Sequence, residues 1–119
     1  SHVWIGDGVE IGDNVKIQAK TFIPSGVIIG DGVFIGPGVM FSNDKYPPSQ
    51  GRGWESTEVE AGAVIGIGAI ILPGITIGRD SFIAAGAMVT KSVPAGMMAI
   101  GFPARIEPKP IMPQPQGEK

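Results

Sequence analysis

Cysteine is absent from this sequence of 119 residues, and histidine occurs once, as His2. The lack of cysteine excludes disulfide bonds and zinc–thiolate sites, and one histidine cannot supply a three-histidine zinc site, so we expect no metal. Charged side chains are also few: nine Lys and Arg against eleven Asp and Glu leave a net charge of −2 and a pI near 5.2. A weakly acidic chain without a basic stripe is not expected to bind nucleic acid.

Long apolar runs are missing too, although 43% of the residues are hydrophobic. No run is long enough to cross a membrane, and no signal peptide precedes the patterned part of the sequence. We therefore expect a cytoplasmic protein without a membrane partner. The chain has the length of one domain.

An aliphatic or aromatic residue recurs at almost every sixth position. A period of six fits neither a helix, which repeats every ~3.6 residues, nor the alternation of a strand. Short fixed repeats are typical of solenoids, and hexapeptide repeats are typical of a parallel β-helix. The repeated positions are Ile5, Ile11, Ile17, Ile23, Ile29, Ile35 and Phe41, and then Val59, Ile65, Ile71, Ile77, Ile83 and Val89.

Each hexad is expected to form a short strand followed by a tight turn. Its first residue favours extended backbone and is placed in the interior. Its fourth residue is usually Gly or Asn, which reach the positive φ that a type II turn demands. Three hexads would close one triangular coil of 18 residues, so that Ile5 lies under Ile23, Ile23 under Phe41, and Ile65 under Ile83. Neighbouring coils would then stack about 4.8 Å apart.

The repeat fails between Phe41 and Val59, where Pro47 and Gly53 stand at positions due for aliphatic residues. We interpret residues 42–58 as a loop that interrupts the strand ladder on at least one face. Loops on rigid scaffolds often carry function. This one brings Asn, Asp, Tyr, Arg and Trp close together in the sequence, which favours a functional role over a tolerated insertion.

Residues 106–119 are Pro-rich and aperiodic, and we interpret them as an extended C-terminal tail. The expected organisation is a β-helix domain over residues 1–105, interrupted by loop 42–58, followed by the tail. The lower end of the β-helix needs a cover, because an open end exposes strand edges and apolar interior. Either residues 1–4 curl over it, or the chain lacks an N-terminal segment, or another molecule covers it.

The hexad pattern Ile/Val-Gly-x-Gly-small-x resembles the hexapeptide-repeat acyltransferases, which fold as left-handed β-helices. The resemblance supplies the left hand, because general connection rules favour a right-handed crossover. It implies an all-β, left-handed parallel β-helix of about five coils of 18 residues, assembled as a homotrimer. Apolar residues at the sixth hexad position are expected to form the patch that trimer contacts cover. They include Phe22, Ile28, Phe34, Met40, Ile70 and Phe82.

Within the loop, the segment Phe-Ser-Asn-Asp-Lys-Tyr-Pro resembles the Asn-Asp-x-Tyr-Pro segment of N-acetyltransferases that act on nucleotide-linked 3-amino sugars for bacterial surface polysaccharides. The resemblance implies acetyl-CoA as cosubstrate and a UDP- or dTDP-linked 3-amino sugar as acceptor. It places Asn43 and Asp44 as catalytic residues beside the sugar amine, at the boundary between two subunits. Tyr46 and Arg52 are expected to bind the sugar or its diphosphate. Arg52 stands later after Tyr-Pro than the Arg of many family members.

Many hexapeptide acyltransferases use a histidine base, whereas His2 lies before the first hexad and is expected to have no catalytic role. The missing base favours an amine acceptor, because an amine with a pKa near ~8 has a free lone pair once deprotonated, while a hydroxyl needs an adjacent base. We expect Asn43 to orient the amine and Asp44 either to accept one of its protons or to hold it in place. Backbone N–H groups would polarise the thioester carbonyl. Gln18, on a coil below the loop, is expected to reach the acceptor.

The sequence after Phe82 resembles the terminal signature of the same acyltransferases, Gly-Ala-Gly-x-Val-Thr-Lys-x-Val-Pro followed by Gly-x-Pro-Ala-Arg. In that family the pantetheine arm of CoA runs parallel to the helix axis and bonds to backbone groups of successive coils. The resemblance therefore implies a CoA groove. The residues expected in it are Ile67, Ala85 and Gly86 beside pantetheine, with Thr90, Lys91 and Arg105 near the adenosine 3′-phosphate.

The composition excludes two other functions of the same fold. A γ-class carbonic anhydrase needs three His ligands. An ice-binding β-helix needs an aligned threonine ladder, whereas the four threonines here are unaligned. Three alternatives stay open: an O-acetyltransferase, a 4-amino-sugar N-acetyltransferase and a non-catalytic trimeric β-helix subunit.

Overall fold

Strands of two to five residues, joined by turns, wind into a three-sided coil. The computed structural model describes residues 2–42 and 56–110. Within them, fifteen strands form three sheets, which we name faces A, B and C. The prediction of an all-β, left-handed parallel β-helix is confirmed. The described residues contain no helix that could cross a membrane.

The chain visits the three faces in rotation. Face A contains β1 (Trp4–Ile5), β4 (Phe22–Ile23), β7 (Met40–Phe41), β10 (Ile70–Ile71) and β13 (Met88–Val89). Face B contains β2 (Glu10–Ile11), β5 (Val27–Ile29), β8 (Thr57–Val59) and β11 (Thr76–Ile77). Face C contains β3 (Lys16–Ile17), β6 (Phe34–Ile35), β9 (Val64–Ile65), β12 (Phe82–Ile83), β14 (Met97–Gly101) and β15 (Ala104–Pro108). Beyond β11, a single parallel bridge joins Ile77 to Val93.

Strands stack in the predicted register of eighteen residues on either side of the loop. Ile5 pairs with Ile23, and Ile65 pairs with Ile83. Backbone groups that the short strands leave free are satisfied by the next coil: the Gly6 N–H donates to the Ile23 carbonyl at 2.7 Å. The stacking thus supplies the hydrogen bonds that no single hexad could make within itself.

The prediction that the loop interrupts a ladder is wrong. All three sheets continue past it, because β7 pairs with β10, β5 with β8, and β6 with β9. Partners across the loop, such as Phe41 and Ile71, are thirty residues apart instead of eighteen. The twelve additional residues equal two hexads, so the repeat resumes in phase. The chain leaves face A after β7 and re-enters face B at Thr57, which places Thr57 and Glu58 in strand β8 instead of the predicted loop.

First-position side chains of the hexads fill the interior, as predicted. From Ile23 to Val89 each of them is at most 2% exposed. Burying one such side chain contributes about 1.5–3 kcal/mol, so each stacked coil adds stability. In the first coil, however, Ile5 is 44% and Ile11 is 41% exposed, because only one neighbouring coil covers them. Residues 2–4 do not cover this end, since Trp4 stacks on Phe22 along face A with ring centroids 4.8 Å apart.

The fourth hexad position has positive φ throughout the described coils, with one exception. Side chains other than glycine are found there at Asn14, Lys20 and Asp80, with φ of 59°, 63° and 56°. Ser92 departs from the pattern, and its hydroxyl accepts a hydrogen bond from the Thr76 N–H at 2.9 Å. His2 also has positive φ, 57°, so the hexad phase reaches the turn before Ile5.

A hairpin formed by β14 and β15 covers the upper edge of face C. β14 pairs in parallel with β12, and β15 returns antiparallel to β14 from Ala104 to Pro108. Strand β15 therefore crosses the predicted boundary between domain 1–105 and tail 106–119. After the hairpin, the Lys109 ammonium donates to the Asp80 carbonyl at 3.0 Å. The division of the chain into a domain and a tail stays a prediction, and residues 111–119 lie outside the described range.

Candidate functional site

The three faces of the coil meet at three corners. The described turn residues that are predicted to bind ligands lie on two of these corners. The C–A corner is the column of turns 18–20, 36–38, 66–68 and 84–86, which lead from face C to face A. The A–B corner comprises turns 6–8, 24–26, 72–74 and 90–92, and it is where β7 ends and β8 begins. Because the turns stack with the strands, each corner is a continuous edge parallel to the axis of the β-helix.

Ile67, Ala85 and Gly86 lie together on the C–A corner, as the predicted pantetheine site requires. The Gly86 N–H donates to the Ile67 carbonyl at 2.8 Å, so that carbonyl is already engaged. Within the described residues, the N–H groups of Ile67 and Ala85 and the carbonyl of Ala85 make no hydrogen bond. These groups are exposed on successive coils about 4.8 Å apart. They form a short row of unsatisfied donors along the corner.

Gly66 fixes the spacing of this row. A Cβ atom at Gly66 would lie 2.7 Å from the Ala85 nitrogen and 3.0 Å from the Ile83 carbonyl oxygen. Contacts that short force the backbone to move, so only glycine lets the two coils approach this closely. The close approach sets the positions of the Ile67 and Ala85 N–H groups relative to each other.

Thr90 and Lys91 lie in the uppermost described turn of the A–B corner. Thr90 is half-buried, and Lys91 is exposed and forms no ion pair with another described residue. Face A therefore separates these two residues from the pantetheine residues on the C–A corner. Within one copy of the chain, the structure does not bring all of the predicted CoA residues to one corner.

Arg105 lies on the hairpin above face C, opposite Ile100. Its guanidinium forms an exposed ion pair with Glu107, and its Nη1 atom lies near Gly101 at the hairpin end. The ion pair holds the guanidinium in place but leaves its Nη groups free to bind an anion. Arg105 and Lys91 therefore occupy different parts of the upper end.

Gln18 lies on the C–A corner in the first coil and is exposed. Its N–H donates to the Ile35 carbonyl at 2.9 Å. It is three coils below Ala85, which is about 14 Å along the axis. The other predicted acceptor residues, Asn43, Asp44, Tyr46 and Arg52, lie outside the described residues. They follow Ser42, which comes directly after β7 and whose N–H donates to the Ile71 carbonyl.

The outer surfaces of the three faces differ in polarity. On face A the stacked sixth-position residues are all apolar: Trp4, Phe22, Met40, Ile70 and Met88. On face B they are mainly polar: Glu10, Ile28, Glu58 and Thr76. On face C they are apolar above the first rung: Lys16, Phe34, Val64, Phe82 and Met98. The predicted apolar patch is thus divided between faces A and C, while Ile28 stands alone between two glutamates.

No group of three His, Asp or Glu side chains in residues 2–42 and 56–110 could hold a metal ion. The groups that these residues offer to a ligand are backbone N–H donors on the C–A corner and the exposed cations Lys91 and Arg105. Sequence reasoning missed one exposed residue beside these groups, Phe102, although it stands inside the quoted Gly-x-Pro-Ala-Arg signature. An aromatic residue in a turn, where a polar residue is the norm, was the available signal.

Comparisons with known proteins agree with this architecture. The family model described as bacterial transferase hexapeptide (six repeats) matches residues 8–43 and 56–91. No curated protein matches the sequence. Among solved structures, a histidine-to-alanine mutant of GDP-perosamine N-acetyl transferase from Caulobacter crescentus, in complex with CoA and GDP-perosamine, is 28% identical with a TM-score of 0.73. That match covers 92% of this chain and 46% of the other chain.

Two further solved structures extend the range of similar enzymes. A galactoside acetyltransferase in complex with coenzyme A is 30% identical, with a TM-score of 0.76, over 87% of this chain and 57% of that chain. The apoenzyme of a truncated serine acetyltransferase is 28% identical, with a TM-score of 0.73, over 83% of this chain and 40% of that chain. The chain thus spans between 40% and 57% of the length of these three proteins.

Proposed function

This chain belongs to the hexapeptide-repeat family of bacterial transferases, and from that membership we propose that it is an N-acetyltransferase. The donor is acetyl-CoA, and the acceptor is the amine of a nucleotide-linked amino sugar, with a UDP- or dTDP-linked 3-amino sugar as the specific candidate. The carrying observation is the similarity to an N-acetyltransferase of a nucleotide-linked substrate, which extends over 92% of this chain.

The C–A corner supports acetyl-CoA as the donor. A pantetheine arm carries two amide groups in line, and the free N–H groups of Ile67 and Ala85 would satisfy their oxygens from successive coils. Glycine and alanine at positions 84–86 let the arm lie close to the backbone. Two of the similar structures contain CoA, which agrees with this use of the fold.

The acceptor follows from the chemistry that the chain lacks. His2 is the single histidine and lies in the first described turn, and the hexads that follow contain no imidazole. An amine acceptor needs no strong base, because its lone pair attacks once the ammonium has lost a proton. Serine and galactoside acetyltransferases have the same fold, so an O-acetyltransferase is the second candidate. The absence of an imidazole in the repeats disfavours that candidate.

The proposed transfer depends on positioning. The amine nitrogen forms a bond to the thioester carbonyl carbon, the carbon–sulfur bond breaks, and a proton from the amine leaves on the departing thiolate. Asn43 orients the amine and Asp44 accepts one of its hydrogen bonds. Holding both reactants in attack geometry supplies most of the acceleration expected of such a site.

A homotrimer would reunite the two corners. If three prisms turn face A toward a common axis, the A–B corner of each copy meets the C–A corner of the next. Lys91 of one copy would then lie beside Ala85 of its neighbour. The loop begins at the same contact between two copies, because it follows β7 at the A–B corner. Face A, which is apolar along its whole height, is the face best suited to the axis.

The direct test incubates the chain with acetyl-CoA and a panel of UDP-, dTDP- and GDP-linked amino sugars. Controls are the corresponding hydroxyl sugars, serine and a galactoside. We expect free CoA thiol to be released, and the acceptor to gain the mass of one acetyl group, only when the acceptor is an amino sugar. Asn43→Ala and Asp44→Ala should each lower the rate by about 100-fold. Transfer confined to a hydroxyl acceptor would favour the O-acetyltransferase, and CoA binding without any transfer would favour the non-catalytic subunit.

A further inference from the structure

Two side chains on the upper part of the molecule are unusually exposed for their size. Phe102 is 68% exposed and Ile67 is 62% exposed, more than any other large hydrophobic residue in the described ranges. Exposed apolar surface of this kind is unfavourable in water unless another molecule covers it. The position of the two residues indicates what that molecule is.

Strand register places Phe102 at the top of the C–A corner. Ala99 stacks above Ile83, and its carbonyl accepts a hydrogen bond from the Ala84 N–H at 2.9 Å. Extending that register by two residues sets Gly101 above Ala85, and Gly101 pairs with Ala104 to close the hairpin. The hairpin tip thus forms the next rung of the corner, so that Phe102 lies about 10 Å along the axis from Ile67.

Charge increases toward the same end of the molecule. Residues 79–110 contain four Lys and Arg against two Asp and Glu, whereas residues 2–31 contain two against four. At the hairpin tip, the Arg105 guanidinium lies beside Gly101, with an Nη1 atom 3.4 Å from where a Cβ would stand. The upper end of the corner therefore combines free N–H donors, a nearby cation and an exposed aromatic ring. A ligand that follows the corner upward would meet these groups in that order.

From this arrangement we propose that Phe102 binds the adenine ring of CoA by stacking. The inference rests on the proposed function, because it takes CoA as the ligand of the C–A corner. The pantetheine arm follows the donors of Ile67 and Ala85 upward, and the nucleotide end reaches the hairpin tip. There the ring of Phe102 covers one face of adenine, and Arg105 lies near its phosphates. An aromatic ring stacks on a base with little dependence on hydrogen bonding, which suits an otherwise exposed turn.

The test compares CoA with its two halves, 4′-phosphopantetheine and 3′-phosphoadenosine 5′-phosphate. Dissociation constants are measured by calorimetry on the 119-residue chain and on Phe102→Ala. We expect Phe102→Ala to bind CoA and the adenosine half about tenfold more weakly, as loss of one base–aromatic stack predicts, and to bind 4′-phosphopantetheine unchanged. Thermal unfolding of the variant should match the unaltered chain, because the side chain is exposed.

Phe102→Trp provides the matched control and a second readout. It keeps a stacking ring, so it should bind CoA as tightly as the unaltered chain. Its added indole fluorescence should be quenched by CoA and by the adenosine half but not by 4′-phosphopantetheine. Equal weakening of both halves in Phe102→Ala, or CoA affinity that does not change, would overturn the role of Phe102 while leaving the proposed function intact. Absence of CoA binding by the unaltered chain would overturn both.

Discussion

Individual turn residues show two separate reasons for glycine in the hexad. At the fourth position the requirement is conformational, and Lys20 meets it with φ of 63° and an N–H that donates to the His2 carbonyl at 3.0 Å. A left-handed conformation costs a lysine roughly 1–2 kcal/mol, which the stacked coil tolerates. Gly66 stands at the second position of its hexad. There the requirement is steric, because a Cβ would meet the backbone of the next coil. Steric positions are therefore the less tolerant of the two kinds.

Gly66→Ala tests this difference. We expect the substitution to lower the free energy of unfolding by about 1–3 kcal/mol, because the new Cβ would lie 2.7 Å from the Ala85 nitrogen and force the two coils apart. The matched control is Gly32→Asn at a fourth position with φ of +69° and no atom within 4 Å of a new Cβ. Asn14 already occupies the equivalent position one coil below, so the control should change stability by less than about 0.5 kcal/mol. Urea unfolding measures both, and equal losses would contradict the distinction.

A substitution of Lys91 should change cofactor binding without changing stability. If Lys91 contacts the 3′-phosphate as proposed, Lys91→Ala should raise the KM for acetyl-CoA about tenfold with kcat little changed, because that charged contact would be lost. Stability should not change, since Lys91 is exposed and has no ion pair within the described residues. The control is Lys16→Ala, which changes another exposed lysine, on the lowest rung of face C. With dephospho-CoA as donor the difference between Lys91→Ala and the unaltered chain should disappear, and its persistence would remove the phosphate contact.

At the level of elements, the loop behaves as an insertion at a corner. It adds twelve residues between β7 and β8 and leaves the register of every sheet intact. The twelve residues equal two hexads, and after them Thr57, Glu58 and Val59 pair in register with Val27, Ile28 and Ile29. The strand ladders therefore continue on both sides of the loop, and we expect the β-helix to fold without it.

Replacing residues 42–56 with Pro-Ser-Gly, the sequence of the turn one coil below, tests this independence. The shortened chain should restore an eighteen-residue offset between Phe41 and Ile71 and unfold cooperatively, with far-ultraviolet circular dichroism like that of the parent. It should bind CoA with unchanged affinity, because the C–A corner is not altered. Its rate of acetyl transfer should fall by at least about 100-fold, because Asn43 and Asp44 are removed. A chain that fails to fold after replacement by Gly-Ser-Gly as well would show that the loop supports the coil.

Most elements could be predicted from the sequence, and the exceptions share a cause. The period gave the strands, the turns and the partners Ile5–Ile23 and Ile65–Ile83, because each hexad repeats the same local requirements. The continuity of the ladders past the loop was mispredicted, since a count of residues does not reveal whether a segment bulges at a corner or displaces a strand. The β14–β15 hairpin was missed because its pairing is antiparallel and lies outside the period.

For the whole molecule, the decisive feature is the unequal polarity of the three faces. Face A is apolar from Trp4 to Met88, whereas face B alternates glutamate with other residues. Association through face A would bury the apolar surface and leave face B in water. It would also bring the A–B corner of one copy to the C–A corner of the next, which a single copy keeps apart.

Ile70→Glu and Thr76→Glu form a matched pair for this assembly. Both are half-exposed sixth-position residues of the same coil, on face A and face B respectively. If the proposed trimer forms through face A, Ile70→Glu should convert it to monomers and abolish acetyl transfer, because a charge buried at that contact would not be solvated. Thr76→Glu should leave both properties unchanged. Sedimentation velocity decides the assembly, and dissociation caused by Thr76→Glu alone would place the contact on face B instead.

By itself, the sequence determined the coil. A six-residue repeat of buried aliphatic residues and tight turns favours stacking, because each coil supplies the hydrogen bonds and the interior contacts that its neighbour lacks. The tertiary structure decided how the functional groups are distributed. The eighteen-residue period already placed Ile67 and Ala85 in one column, whereas Phe102 came to the rung above them because the chain reverses at the β14–β15 hairpin, outside the period. A periodic pattern is equal on all three sides, and only the folded chain distinguishes one side from another.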